Sequence, residues 1–250
     1  NQTPTVEGVE VFTLAPPDTG CLHDYQLTTA DRKKLAQADL LVLNGAGMES
    51  FLEKVIAQLK IPVCDTSVGL TFITDADGEI NPHVWVSLQN AQAQARAICE
   101  ALSTLDGAHR AQYEQNLQIY GGKLALLDAQ MREELAPFAG AKIITFHDAF
   151  AYWARDYGLE VAAVLSHEPG TAPSARALAE VIQIIRRDHV RALFVEPQYP
   201  TDSADVIARE TGMKLYSLDP AVTGKIEPPD PDAYLAAMAF NLQTMKEALQ

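Results

Sequence analysis

Four residues that can bind a metal ion are spread along the sequence, and each lies next to an apolar run. They are three histidines and one aspartate: His23, His83, His147 and Asp219. Successive members are about 60 to 70 residues apart, so only a folded chain could bring them together. Three imidazoles and a carboxylate would make a closed four-ligand site of the kind that Zn²⁺ favours. The residue types therefore predict that the protein binds a metal ion.

The elements that must position these residues follow an alternating pattern. Apolar, β-branched runs predict strands at Val9–Leu14, Leu40–Leu43, Ile61–Cys64, Lys142–Phe146, Val161–Leu165, Ala192–Val195 and Lys214–Leu218. Longer periodic segments predict helices at Thr29–Ala38, Met48–Leu59, Leu88–Leu102, Ala149–Tyr157, Ala175–Asp188, Ser203–Glu210 and Asp232–Leu249. Strands that alternate with helices indicate an α/β protein with parallel β-sheets flanked by helices.

One long segment departs from this alternation. From Ala108 to Leu135, apolar residues recur at intervals of three and four, which predicts a helix of about 40 Å at about 1.5 Å per residue. Because two candidate ligands lie on each side of it, we favour two lobes joined by one long rigid α-helix over a single domain with a long surface helix. The predicted bounds are 1–107 for the N-terminal lobe, 108–135 for the linking helix and 136–250 for the C-terminal lobe.

The candidate ligands lie where an α/β fold places its functional loops. In open α/β sheets, ligands bind beyond the carboxyl ends of the strands. His147 and Asp219 directly follow predicted strands. His23 lies in the loop after a predicted strand, and His83 precedes a helix that Ser87 should cap. The four side chains are therefore expected to meet at one site between the lobes.

Other polar residues have simpler interpretations. A lone buried histidine is more often a hydrogen-bonded core residue than a ligand. His109 and His189 fit a solvated surface instead. His167 lies in a loop and is not predicted to be a ligand. Cys21 is two residues from His23, which already supplies that loop with a ligand. Glu196 is expected to be a buried carboxylate that either is structural or supports a metal ligand.

Charge and hydropathy exclude several classes of partner. The net charge of −14 argues against binding to nucleic acid or to anionic lipid, since both attract Lys and Arg. No apolar run approaches the roughly 20 residues that span a bilayer. No signal-peptide pattern opens the chain, so a targeting segment is expected to be absent or already removed. The three cysteines are odd in number and show no paired spacing that would predict a metal site or a disulfide framework.

Several ordered motifs resemble one known family. They are VEVFTLAPPDTGCLHDYQLTTADRKKLAQADLLVLNGAGME, NPHVWVSLQNA, TFHDAFAYWARDYGLEV, EPGTAPSARALAEVI, FVEPQYP and LDP, and they cover nearly the whole chain. The chain resembles the solute-binding proteins of ABC transporters for zinc and manganese, a group that includes zinc-uptake lipoproteins and adhesins. The resemblance implies two α/β lobes, a long connecting helix and a divalent metal in the cleft between the lobes.

The resemblance also implies the ligands and the metal. The family's ligand positions match His23, His83, His147 and Asp219. Manganese-type members carry Glu at the third position and zinc-type members carry His, so His147 favours Zn²⁺, with Mn²⁺ as the alternative. Two features depart from the family: the strand and helix that usually come first lie outside this sequence, and Thr74–Ile80 is short and lacks the histidines of many zinc-type loops.

Three functions remain to be compared. The first is a monomeric binding protein, not an enzyme, that captures Zn²⁺ and delivers it to an ABC-transporter permease from the periplasm or from a lipid anchor outside the cytoplasmic membrane. The second is a zinc-dependent hydrolase with Asp219 or Glu196 as the base, although no HExxH motif supports it. The third is an adhesin, for which the residues specify no partner. Four protein ligands favour capture, because a catalytic zinc keeps an open position.

Overall fold

The structure is a computed structural model, and it falls into two compact units. It describes residues 6–16, 19–20, 22, 25–75, 77–165, 173–224 and 230–250. Unit 1 comprises Asn1–Leu126 and Val222–Ala233, and unit 2 comprises Leu127–Ala221 and Tyr234–Gln250. The predicted lobe bounds stay a prediction, and the boundary between the compact units lies inside the long helix.

Unit 1 contains a two-stranded parallel sheet. Its elements are α1 (Thr29–Gln37), β1 (Leu41–Leu43), α2 (Glu53–Ile56), β2 (Val63–Asp65) and α3 (Leu88–Leu105). In the sheet, Leu41 pairs with Val63. Leu35, Leu41 and Leu52 form the centre of a small apolar core. Helix α1 begins with a capping box, in which Thr28 and Asp31 satisfy each other's backbone N–H groups.

The strand predicted over Val9–Leu14 is wrong. This segment is irregular, and Val11 is 87% exposed. Apolar β-branched residues favour a strand only when a neighbouring strand completes the ladder and the side chains are buried. Here the carbonyl oxygens of Thr13 and Leu14 accept hydrogen bonds from Lys34 Nζ at 2.8 and 3.2 Å instead.

The helix predicted over Met48–Leu59 is shorter in the structure. A 3₁₀ turn at Ser50–Leu52 leads into the single turn of α2. The segment follows a left-handed loop, Gly45–Gly47, with φ of 81°, 54° and 83°, and Glu49 at φ −99° and ψ 40° lies outside the right-handed helical region. Periodicity alone could not reveal this left-handed loop.

Helix α4 (Arg110–Leu135) confirms the long helix predicted from the sequence. Its 26 residues correspond to about 39 Å at about 1.5 Å per residue. The apolar face predicted from the spacing is partly or fully buried, with Leu124, Met131 and Leu135 at 0% exposure. Lys123 in its middle donates to both carboxylate oxygens of Asp232, at 2.7 and 2.9 Å, within unit 1.

Unit 2 contains a four-stranded parallel sheet covered by helices. Its elements are β3 (Lys142–Thr145), α5 (Ala151–Asp156), β4 (Glu160–Val164), α6 (Ala175–Asp188), β5 (Ala192–Val195), α7 (Asp202–Thr211), β6 (Leu215–Ser217) and most of α8 (Ala233–Leu249). The strand order is β4-β3-β5-β6. Apolar residues from the sheet, α6 and α7 share one core.

The predicted class is confirmed: the protein is α/β, with parallel sheets and flanking helices. Strand β5 and helix α6 have the bounds predicted from the sequence. Among the described residues, no helix is both long enough and apolar enough to cross a bilayer.

Candidate metal centre

His83 is a buried imidazole in unit 1, with 2% of its surface exposed. It immediately precedes the 3₁₀ turn Val84–Val86, which leads into α3. Ser87 caps that helix by accepting the Asn90 N–H at 3.2 Å, as predicted. The turn and the Ser87 cap therefore connect His83 directly to the start of α3.

Asn81 fixes the orientation of the His83 ring. Its Oδ1 lies 2.9 Å from the His83 backbone nitrogen and 2.9 Å from His83 Nδ1. Because an amide oxygen can only accept, Nδ1 carries the proton and Nε2 carries the lone pair that can bind a metal. A metal-bound histidine usually donates its other N–H to an oxygen in this way.

Two further amides hold the backbone on either side of His83. Asn44 Nδ2 donates to Pro82 O at 2.9 Å, and Asn90 Nδ2 donates to Val84 O at 3.1 Å. Gln94 Nε2 in turn donates to Asn44 Oδ1 at 3.1 Å. Asn44 and Asn81 were not predicted from the sequence as supporting residues. The one local signal was the Asn two residues before His83, a spacing that permits a side chain to accept the histidine's N–H.

In unit 2, three loops leave the same edge of the sheet. Thr145 in β3 pairs with Phe194 in β5, and Val195 in β5 pairs with Ser217 in β6, all in parallel register. His147, Glu196 and Asp219 follow these three strands within two residues of their ends. The carboxyl edge of an open parallel sheet is where such folds bind ligands.

His147 and Glu196 form a buried pair at that edge. His147 Nδ1 lies 3.4 Å from Glu196 Oε1, and each side chain is only 3% exposed. Glu196 Oε2 accepts a hydrogen bond from Gln198 Nε2 at 2.6 Å, which holds the carboxylate in place. The expected burial of Glu196 is confirmed. The oxygen near His147 Nδ1 is farther away than the one that contacts His83 Nδ1 at 2.9 Å, and the 3.4 Å pair is an ion-pair contact and not a hydrogen bond.

Asp219 is held by its backbone and by its side chain. The Asp219 N–H donates to Asn241 Oδ1 at 2.7 Å, and Asp219 O accepts from Asn241 Nδ2 at 2.7 Å. Asp219 Oδ1 accepts the N–H of Ala221 at 2.8 Å. Asn241, in α8, was not identified from the sequence, because it lies 22 residues from Asp219 and belongs to no recognised motif.

The structure describes three of the four predicted ligands. It brings His147 and Asp219 to one sheet edge in unit 2, and His83 belongs to unit 1. His23, Cys21 and His167 lie outside the described residues. Within the part of the chain that is described, no three His, Cys, Asp or Glu side chains are grouped closely enough to hold a metal ion. The four-residue ligand set therefore stays a prediction.

His109 has a different role from the candidate ligands, as its sequence context predicts. Its Nδ1 lies 2.6 Å from Asp106 Oδ2, and its side chain is 35% exposed. Tyr113 also donates to Asp106 Oδ2, at 2.8 Å. The hydrogen bonds from His109 and Tyr113 lower the pKa of Asp106 below its ordinary value. This cluster stabilises the start of α4.

Comparison with known proteins finds one family and many related structures. The family model for ZnuA, the periplasmic component A of zinc-uptake complexes, matches residues 5–248. The iron-binding protein YfeA of Yersinia pestis is 32% identical over 76% of this chain, and the alignment spans 64% of that protein, less than two thirds. The high-affinity zinc uptake system protein ZnuA of Haemophilus ducreyi is 28% identical over 86% of this chain and 79% of its own length.

Solved structures share the fold. The SBP FpvC of Pseudomonas aeruginosa, in complex with Mn²⁺, has a TM-score of 0.86 and 32% identity. The match covers 98% of this chain and 91% of that one. The similarity therefore extends over both units.

Proposed function

The chain belongs to the ZnuA family of periplasmic zinc-uptake components, and we propose that it captures Zn²⁺ through His23, His83, His147 and Asp219. The observation that carries this proposal is a pair of buried imidazoles, each of which has an oxygen near Nδ1. His83 and His147 are each 2% exposed, and the oxygen lies 2.9 Å from Nδ1 in His83 and 3.4 Å from Nδ1 in His147. We infer that Nε2 is the nitrogen of each ring that binds the metal.

Zinc is the proposed cargo because of the donor set. Three imidazole nitrogens and one carboxylate oxygen suit Zn²⁺, whereas Mn²⁺ prefers more oxygen ligands. The affinity order of divalent ions also favours Zn²⁺ over Mn²⁺ at mixed nitrogen and oxygen sites. Manganese is the alternative cargo, and FpvC, a relative of similar fold, was solved with Mn²⁺.

Capture is favoured over hydrolysis by the contacts of the two carboxylates. Glu196 has one oxygen beside His147 and the other bonded to Gln198, so both oxygens already contact protein groups. Asp219 Oδ1 accepts a backbone N–H. Four protein ligands would also leave no open position for a reactive water on a tetrahedral ion. We therefore propose that the protein is a carrier and not an enzyme.

The proposed carrier function also implies a partner for delivery of the ion and a location in the cell. A carrier of this family hands its ion to the permease of an ABC transporter, so we propose a location outside the cytoplasmic membrane, in the periplasm or at a lipid anchor. The net charge of −14 fits a metal ion as the cargo better than an anionic one. We propose that the carrier acts as a monomer.

Metal analysis and competitive titration test the carrier proposal. We expect one equivalent of zinc per chain and a higher affinity for Zn²⁺ than for Mn²⁺. His83→Ala and His147→Ala should each weaken zinc binding by orders of magnitude, while His189→Ala, at the C-terminal cap of α6, should not change it. Metal-dependent ester hydrolysis by the wild-type protein that is abolished by Asp219→Ala would overturn the carrier assignment.

A further inference from the structure

Asn241 is a polar residue in an apolar position. It lies in α8 with 0% of its surface exposed, and the neighbouring buried residues of that helix are Met238, Leu242 and Met245. A buried amide is costly unless its donor and its acceptor are both satisfied. The donor and the acceptor of the Asn241 amide therefore need hydrogen-bond partners, and Asp219 provides both.

Asn241 binds both backbone polar groups of Asp219. Its Oδ1 accepts the Asp219 N–H at 2.7 Å, and its Nδ2 donates to the Asp219 carbonyl at 2.7 Å. This is the pair of bonds that a neighbouring strand would make, although Asp219 lies beyond the end of β6. The amide thus prolongs the ordered backbone up to the residue that bears the carboxylate.

The chain changes direction immediately after Asp219. Ala221 has a left-handed φ of 57°, which is unfavourable for a residue with a side chain. Its N–H donates to Asp219 Oδ1 at 2.8 Å. Asn241 on one side and Ala221 on the other fix the backbone of Asp219 and one of its carboxylate oxygens.

We propose that Asn241 is a positioning residue for metal binding, which acts through Asp219 without touching the ion. It holds the Asp219 carboxylate in the direction that binding requires, so the ion does not have to order this ligand. Preorganised ligands bind more tightly because less freedom is lost on binding. The inference rests on the proposed function, specifically on Asp219 as a metal ligand.

A double-mutant cycle on zinc affinity tests the inference. The variants are Asn241→Ala, Asp219→Ala and the two combined, and affinity is measured by competition with a chromophoric chelator. We expect Asn241→Ala alone to weaken zinc binding about tenfold, as for other residues that orient a ligand. In the Asp219→Ala background the same change should alter the affinity less than twofold, because residues that act through one another are not additive.

Two further variants separate positioning from general stability. Leu242→Ala removes a buried side chain from the next position of α8 and should leave zinc affinity within twofold of wild type. Asn241→Gln keeps both an acceptor for the Asp219 N–H and a donor for Asp219 O on a side chain that is one methylene longer. It should give a smaller loss that also disappears in the Asp219→Ala background, and it serves if Asn241→Ala does not fold.

Each remaining outcome has a distinct meaning. Equal losses from Asn241→Ala in both backgrounds, or wild-type affinity of Asn241→Ala beside a weakened Asp219→Ala, would overturn the positioning role and leave the carrier function intact. Wild-type affinity of Asp219→Ala would overturn the positioning role together with Asp219 as a ligand. Absence of zinc binding by the wild-type protein would overturn the proposed function itself.

Discussion

Asn81 Oδ1 contacts His83 twice, at 2.9 Å from the backbone nitrogen and at 2.9 Å from ring Nδ1. One oxygen thus sets both the start of the 3₁₀ turn and the tautomer of the ring. Because the pair is buried, water cannot readily replace Asn81 as the acceptor. The tautomer of His83 is therefore determined by Asn81, which is only two positions away in the sequence.

Replacing Asn81 should weaken zinc binding through His83. In Asn81→Leu the ring Nδ1–H loses its acceptor, and we expect a loss of about 10- to 100-fold in zinc affinity. Asn81→Asp keeps an oxygen at the same place and should remain within a few-fold of wild type. Competitive titration measures both. Equal affinity of Asn81→Leu and wild type would show that the tautomer is not set by Asn81.

Glu196 should strengthen metal binding by His147. Its carboxylate oxygen lies 3.4 Å from Nδ1 and helps to orient the ring, so Glu196→Gln should lower zinc affinity about tenfold. Gln198→Ala leaves the carboxylate in place and removes only its hydrogen bond, so its effect should be smaller. The same titration measures the two variants. A larger loss in Gln198→Ala than in Glu196→Gln would contradict the assigned roles.

Gly45 and Gly47 form a matched pair for testing the loop that carries Asn44. Both have positive φ, but a Cβ on Gly45 would lie 1.8 Å from Asp65 Oδ1, whereas a Cβ on Gly47 meets nothing within 4 Å. Gly47→Ala should lower the free energy of unfolding by about 1–2 kcal/mol, the cost of left-handed backbone. Gly45→Ala should lower it by about 2–4 kcal/mol, because Asp65 must also leave its bonds to Ser67.

Urea denaturation compares these two glycine variants directly. We expect the midpoint of Gly45→Ala to fall below that of Gly47→Ala. Zinc affinity should also fall in Gly45→Ala, since Asn44 bonds to Pro82 O beside His83. Equal midpoints for the two variants would mean that Asp65 moves away from Gly45 without cost.

Asp106 should make stability depend on pH below neutrality. Hydrogen bonds from His109 and Tyr113 lower the pKa of Asp106 in the folded state below its ordinary value of 3.8. A carboxyl with a depressed folded pKa stabilises the fold above its unfolded pKa and loses that contribution as pH falls through the folded pKa. Between about pH 5 and pH 2, wild type should therefore lose stability more steeply than Asp106→Asn.

Urea midpoints across this pH range measure the contribution of Asp106. Glu53→Gln, at an exposed position of α2, serves as the control and should follow the wild-type slope. Parallel slopes for wild type and Asp106→Asn would show that this carboxylate does not control the acid response.

Much of the α/β framework could be predicted from the sequence, because the signals that specify it are local. Strand β5 and helix α6 are fixed by apolar runs and by the cap at Ser174, and the prediction of both was correct. The strand predicted at Val9–Leu14 failed because strand formation depends on a partner that the local pattern does not reveal.

The chemistry of the site was predictable only in part. Histidine and aspartate next to apolar runs are visible in the sequence, so His83, His147 and Asp219 could be named as candidates. Of the amides that hold them, only Asn81 had a local signal; Asn44 contacts Pro82 from 38 residues away and Asn241 contacts Asp219 from 22 residues away. Long-range hydrogen bonds of buried amides leave no periodic pattern.

A zinc-bound crystal structure, with anomalous scattering recorded at the zinc edge, tests the central claim most directly. We predict one strong peak that lies about 2.0–2.2 Å from Nε2 of His23, His83 and His147 and from a carboxylate oxygen of Asp219. His147→Ala should lose or weaken that peak. A peak bound by the histidines of one unit alone, by a cysteine sulfur, or by three protein ligands and a water would contradict a closed capture site.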